Sequence, residues 1–128
     1  LGKKLLLVKD VMHTGNKLPL IKENVLMTKA IIEMTKKRLG CLGVTNNNNR
    51  LIGIITDGDL RRHMGNEILK EKSSKIMTKK PKTVDQNIFA IEALEIMKKN
   101  KITQVFVTKN NKPIGILHIH DCIESELA

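Results

Sequence analysis

Two stretches of the chain carry side chains that could do chemistry together: Thr56-Asp57-Gly58-Asp59 and His118-Ile119-His120-Asp121. Each follows an apolar run holding one glycine, Gly53-Ile54-Ile55 in the first and Gly115-Ile116-Leu117 in the second. Such a run ending in polar residues reads as a buried strand passing into a helix. The first amides of a helix have no partner inside it, so they are free to bind an anion. At such a junction Thr56 is placed to donate to a phosphate, and Asp59 to accept from two neighbouring ribose hydroxyls. The local pattern alone equally allows Asp57 or Asp59 a plainer role as an N-cap. Recurrence of the Gly-to-Asp spacing at Asp121 favours ligand binding.

Other reactive groups point less far. His118 and His120 lie two apart beside Asp121, and two histidines on one strand face can share a metal. A complete site needs further ligands, and neither His13 nor His63 stands at a spacing that supplies them, so no metal is expected. The histidines read instead as part of the strand-to-helix junction, one facing the ligand side and one partly packed. Arg61 and Arg62 could add charge for a phosphate, but on a short helix they read as solvated. Cys41 and Cys122 each lack a second cysteine at motif spacing and read as small core residues in a reduced, cytoplasmic setting. Nothing pairs carboxylates, nucleophile and base, or a phosphate-cradling glycine loop, so no catalytic residue is assigned.

What positions these groups is a tandem duplication. Val11-Met12 aligns with Ile76-Met77, Val25 to Met34 with Ile88 to Met97, Val44-Thr45 with Val107-Thr108, and Ile52 to Asp59 with Ile114 to Asp121. A period of about 55–60 residues is too short for an independently robust core, so the halves are expected to pack on each other. Each copy reads as a strand or extended entry, then helix, strand, strand, helix. In the first, Asn24 caps a helix with Met27, Ala30, Ile31 and Met34 on one stripe and Gly40 stopping it. Cys41–Thr45 and Leu51–Ile55 are strands around Asn46 to Asn49, and a short helix from Asp57 ends near Gly65. In the second, Asp85 or Asn87 opens a helix with Ile91, Leu94 and Met97 inward. Gln104–Thr108 and Pro113–Ile119 are strands turning at Asn110-Asn111, and Asp121–Leu127 is a helix. The recurring Met12/Met77 and Met34/Met97 read as core packing. The copies span residues 9–66 and 76–128, with a polar linker at 67–75.

Composition sets the outer bounds. The 128 residues suffice for one compact domain or two very small ones. Apolar residues make up 41%, in runs far below a bilayer span, so no membrane segment is expected. Lys3-Lys4 and the apolar residues after them resemble a signal peptide only until Lys9-Asp10 cuts them short. No Met precedes Leu1, so the chain is expected to be a piece of something longer. A net charge of +10 welcomes anions of any kind. Only four of 23 cations are Arg, and Phe89 and Phe106 are the only aromatic rings of the Phe, Tyr and Trp class, which argues against nucleic-acid binding.

The duplication and the stretch Gly53-Ile54-Ile55-Thr56-Asp57-Gly58-Asp59-Leu60 together resemble a cystathionine-β-synthase (CBS) domain pair. Lys9-Asp10-Val11-Met12-His13-Thr14-Gly15, Gly53 to Arg62 and Gly115 to Asp121 further resemble the C-terminal half of bacterial arabinose 5-phosphate isomerases. The resemblance implies an α+β fold in which tandem βαββα motifs form one pseudo-twofold module. It implies a non-catalytic, regulatory role beside an N-terminal sugar-isomerase domain, absent from this chain, that serves Kdo and lipopolysaccharide synthesis. The ligand would bind between the motifs, on Thr56 and Asp59 in one cleft and His118 and Asp121 in the other. His118 departs from the Thr or Ser common at that place, which replaces a hydroxyl by a group titrating near neutrality and makes the clefts inequivalent. No cofactor is required; the effector would be an adenine nucleotide or CMP-Kdo, and homo-oligomerisation is implied. The competing expectation is a structural dimerisation module with empty clefts.

Overall fold

The computed structural model describes residues 5–65 and 67–127, with side chains through Glu124 in the last helix. Asn66 and Ala128, which close the two copies, lie outside the described residues, as do Lys3 and Lys4. In chain order the elements are α1 (Val8–Val11), β1 (Leu20–Lys22), α2 (Met27–Lys37), β2 (Cys41–Thr45), β3 (Leu51–Thr56), α3 (Asp57–Arg62), α4 (Ser73–Ile76) and β4 (Thr78–Lys79). There follow β5 (Thr83–Val84), α5 (Ala90–Asn100), β6 (Gln104–Lys109), β7 (Lys112–His118) and α6 (Ile119–Leu127). This is a mixed α+β fold, and it divides into two compact units that cut across the sequence copies. One unit is Pro19–Pro81; the other joins the residues through Leu18 to those from Lys82 onward.

In the Pro19–Pro81 unit the sheet order is β1-β2-β3-β4. Strand β2 runs parallel to β1 and antiparallel to β3, and β3 pairs antiparallel with β4 through Ile54↔Thr78. Flanked on both edges, the run Cys-Leu-Gly-Val-Thr of β2 is buried at every residue, as a central strand covered on both faces must be. Met27, Ala30 and Met34, at helical spacing on α2, close over Leu42, Val44, Ile55 and Ile76 to form its core. Leu94, Met97, Val105, Val107, Leu117 and Cys122 are among the core residues of the other unit, whose sheet order is β5-β6-β7. There an isolated bridge, His13↔Ile116, occupies the edge of β7 that β4 occupies on β3. Even the irregularity recurs, at Val44/Thr45 and at Val107/Thr108.

The hairpins follow their asparagines. Asn46 Oδ1 accepts from the amides of Asn48 and Arg50, and Asn49 takes a φ of 62°. Asn110 and Asn111, both at positive φ, make a two-residue turn between paired Lys109 and Lys112, the geometry whose twist matches that of the strands.

Helix boundaries depart from the sequence reading. Asn24 does not cap α2: Leu26 stands at the cap with no side-chain bond, and the Met27 amide donates to the Glu71 carbonyl at 2.8 Å. Likewise α5 opens at Ala90, not at Asp85 or Asn87; its first amide donates to the Leu6 carbonyl at 2.7 Å, while Asp85 Oδ1 only holds the Asn87 amide in a local turn. Helix α2 ends at Arg38, in the left-handed region at φ 62°, before Gly40 is reached. Ile91 faces solvent, and the buried stripe of α5 is Ala90, Ala93, Leu94 and Met97. The segment 67–75 is more than a polar tether, since Ser73 is fully buried with its hydroxyl donating to the Val25 carbonyl at 2.7 Å. Both cysteines are buried. Among the described residues no helix is long and apolar enough to cross a membrane.

Candidate ligand sites at the two strand-to-helix junctions

Strand β3 delivers Thr56 to the start of α3, and Asp59 follows in the first turn. Asp59 is only 2% exposed, and protein groups hold both of its oxygens. Oδ2 accepts from the Thr56 amide at 2.9 Å and the Thr56 hydroxyl at 3.2 Å. Oδ1 accepts from the Thr78 hydroxyl at 2.6 Å and from Arg62 Nη2. Burial works to raise the carboxyl's pKa, but the hydrogen bonds from Thr78, Thr56 and Arg62, with the charge of Arg62, outweigh it and hold it below the ordinary value. Thr56, not Asp57 or Asp59, is the N-cap of α3; Asp59 stands three residues on and bonds back to the Thr56 amide, so a ribose hydroxyl would have to displace a donor already in place. Arg62 is not simply solvated: its side chain is 63% exposed, but Nη2 is tied to Asp59.

The other junction repeats this plan with different chemistry. Helix α6 begins at Ile119, two residues ahead of the expected start at Asp121, which puts His120 and Asp121 in its first turn. Asp121 Oδ2 accepts from the His118 amide at 3.0 Å, as Asp59 does from Thr56. His13 Nε2 lies 3.0 Å from the same oxygen. The Asp121 side chain is 24% exposed, and the His13 and His118 contacts both fall on Oδ2, so a carboxylate with about four lone-pair sites keeps room to accept from a ligand. His118 and His120 stack at 4.9 Å between ring centroids, and His118 Nδ1 accepts the His120 amide at 3.1 Å. Desolvation first, then the neighbouring His120 and His13, lower the His118 pKa against the opposing pull of Asp121. Among the described residues no group of three or more His, Cys, Asp or Glu is placed to hold a metal.

Sequence reasoning missed the donors that complete each junction. Thr78 and His13 each follow a methionine of the aligned pair, Met77 and Met12, and each reaches the acid from the edge pairing on β3 or β7. The methionines explain the glycines as well. A Cβ on Gly53 would come within 2.4 Å of Met77 Sδ, and one on Gly115 within 2.4 Å of Met12 Sδ. A shallow cavity of about 280 Å³ also opens in the Pro19–Pro81 unit beside the end of α2, touching Asp57 and Leu60, but neither Thr56 nor Asp59 lines it.

Duplicated junctions on two βαββα-like sheets define the class, and the chain belongs to the CBS domain family, whose model matches residues 8–66 and 73–127. The chain is 46% identical over 123 residues, 96% of its length, to the uncharacterized protein RP505 of Rickettsia prowazekii. It is 43% identical over 129 residues, 98% of its length, to arabinose 5-phosphate isomerase KdsD of Pseudomonas aeruginosa, and 39% identical over 128 residues to KdsD of Escherichia coli K12. It spans 39%, 40% and 39% of those proteins respectively. Among solved structures it resembles CBSX2 in complex with AMP, at TM-score 0.81 and 22% identity over 95% of this chain and 96% of that one. It also resembles the CBS domain pair of MJ0100 in complex with 5'-methylthioadenosine and S-adenosyl-L-methionine, at TM-score 0.82 and 22% identity over 94% and 95%. At that identity the likeness concerns the fold.

Proposed function

We propose that this chain is the non-catalytic, regulatory CBS pair of an arabinose 5-phosphate isomerase, attached in cis to a sugar-isomerase domain and acting in the cytoplasm in Kdo synthesis. The observation that carries the reading is its agreement with KdsD proteins along 98% of its own length but only about two fifths of theirs. The effector is an adenine nucleotide or CMP-Kdo. The complexes of CBSX2 and MJ0100 with adenosine compounds support the first; feedback by an activated pathway product supports the second. Thr56, Asp59, His118 and Asp121 are the residues assigned to it, with Asp121, whose carboxylate keeps accepting capacity, the main acceptor for a ribose. The motifs are taken as 9–66 and 76–128, joined by 67–75, and the assembled protein as a homo-oligomer. A ligand alters the attached enzyme only by as much as its affinity differs between two states of the module.

The test is thermal unfolding of the chain against AMP, ATP, CMP and CMP-Kdo. A ligand at 100 times its Kd stabilises by about 2.7 kcal/mol. One member of the panel is expected to raise Tm by several degrees, and Asp121→Asn to reduce that rise. If no member shifts Tm at millimolar concentration while the chain elutes as a dimer, the effector reading fails and a structural dimerisation module replaces it.

A further inference from the structure

Three of the four histidines of the chain, His13, His118 and His120, gather at one junction. The equivalent positions of the other junction, by the duplication, are Thr78, Thr56 and Gly58, none of which titrates. The arrangement of His118 is specific about its proton. A backbone amide can only donate, so the 3.1 Å contact from the His120 amide requires a lone pair on His118 Nδ1. The ring is then neutral with its proton on Nε2. It acts as the cap of α6, satisfying an amide that the helix itself leaves unpaired.

A protonated ring has no such lone pair. It would set an N–H against an N–H, so the ring would have to turn away and leave the first turn of α6 uncapped. Among the described residues the titratable or charged groups acting on the ring are His120 and Asp121 from α6 and His13 from the segment paired with β7. Its ladder partner Gln104 on β6 is uncharged.

We propose that His118 is a proton-sensitive cap that closes the first turn of α6 when neutral and opens it when protonated. The inference goes beyond the effector reading and does not depend on which ligand binds. The sign follows from linkage. The native ring resists protonation and the unfolded ring does not, so the stability due to the cap is complete above the unfolded value of about 6.5 and is lost as pH falls below it.

The test compares the chain with His118→Thr, whose hydroxyl, like that of Thr56, can accept at any pH. Because both proteins keep His13, the difference between their pH profiles isolates His118. Between pH 8 and pH 5.5 the parent is expected to lose roughly 2–6 °C of Tm more than the variant. Parallel profiles would overturn the proposal. Nitrogen-15 NMR of the histidine rings in the parent chain tests it without a variant: at pH 8 His118 should carry its proton on Nε2, and a proton on Nδ1 would overturn it.

Discussion

Replacing Asp59 with alanine tests whether this acid is built into the fold. Asp59→Ala deletes the acceptor for the Thr56 amide and hydroxyl, the Thr78 hydroxyl and Arg62. The Arg62 pair counts for little, because an ion pair made by a side chain 63% exposed is screened by solvent. Thr78 belongs to an exposed residue and can turn its hydroxyl to water, so its loss is worth about 1 kcal/mol. The Thr56 amide is fixed at the start of α3 and loses a charged acceptor, worth about 1.5–3 kcal/mol. Together these give a destabilisation of about 2.5–4 kcal/mol, a large part of the roughly 5–15 kcal/mol available to a domain. Urea unfolding followed by circular dichroism measures it, with Thr78→Val expected to cost about 1 kcal/mol. The acid limb gives the same answer by another route. With the native carboxyl held below its unfolded value, stability due to Asp59 is complete above about pH 4 and is lost as pH falls through the native value, so Asp59→Asn should flatten that limb. A folded Asp59→Ala within about 0.5 kcal/mol of the parent would refute the reasoning, since loss of a built-in cap costs more.

Two further outcomes follow from packing. Gly53→Ala and Gly115→Ala drive a methyl into Met77 and Met12 and should each cost about 1–3 kcal/mol by overpacking; urea unfolding of Gly53→Ala with and without Met77→Ala should show the second change recovering part of the loss. Burial, and then the negative charge of Asp57, push the Cys41 thiol up to about 12, so native protein at pH 8 should leave Cys41 unmodified by iodoacetamide, and mass spectrometry should find it alkylated once urea unfolds the chain.

The four hairpin strands were legible in the sequence because their evidence is local: Cys41–Thr45 is a mostly apolar run before four asparagines, and Gln104–Lys109 and Lys112–His118 flank two; the short edge strands β1, β4 and β5 were not, since they carry two or three residues each. The helix starts were not, because what fixes them comes from far along the chain. Glu71 supplies the first acceptor of α2 and Leu6 that of α5, leaving Asn24, Asp85 and Asn87 as local turn formers beside them. At the junctions the acids could be found by spacing, whereas the donors Thr78 and His13 stand 19 and 108 residues from theirs. A signal did exist. Extending the aligned Val11-Met12 and Ile76-Met77 by one residue sets His13 opposite Thr78, the very residues that reach the two acids. Whether an acid keeps capacity for a ligand depends on how many donors converge on it, which no one-dimensional pattern reveals.

Because one compact unit is Pro19–Pro81 while the other is assembled from segments on either side of it, the two cannot mature together on the ribosome. The inner unit has all its strands once Pro81 has emerged. The outer one must keep its leading segment waiting, Val8 until the Ile88 carbonyl that its amide meets is made, and His13 until β7 and α6 bring Ile116 and Asp121. Such separation slows closure and lengthens exposure of apolar surface. Nascent-chain vulnerability within this module is thus concentrated in the segment that leads into its outer unit, whose shelter is synthesised last.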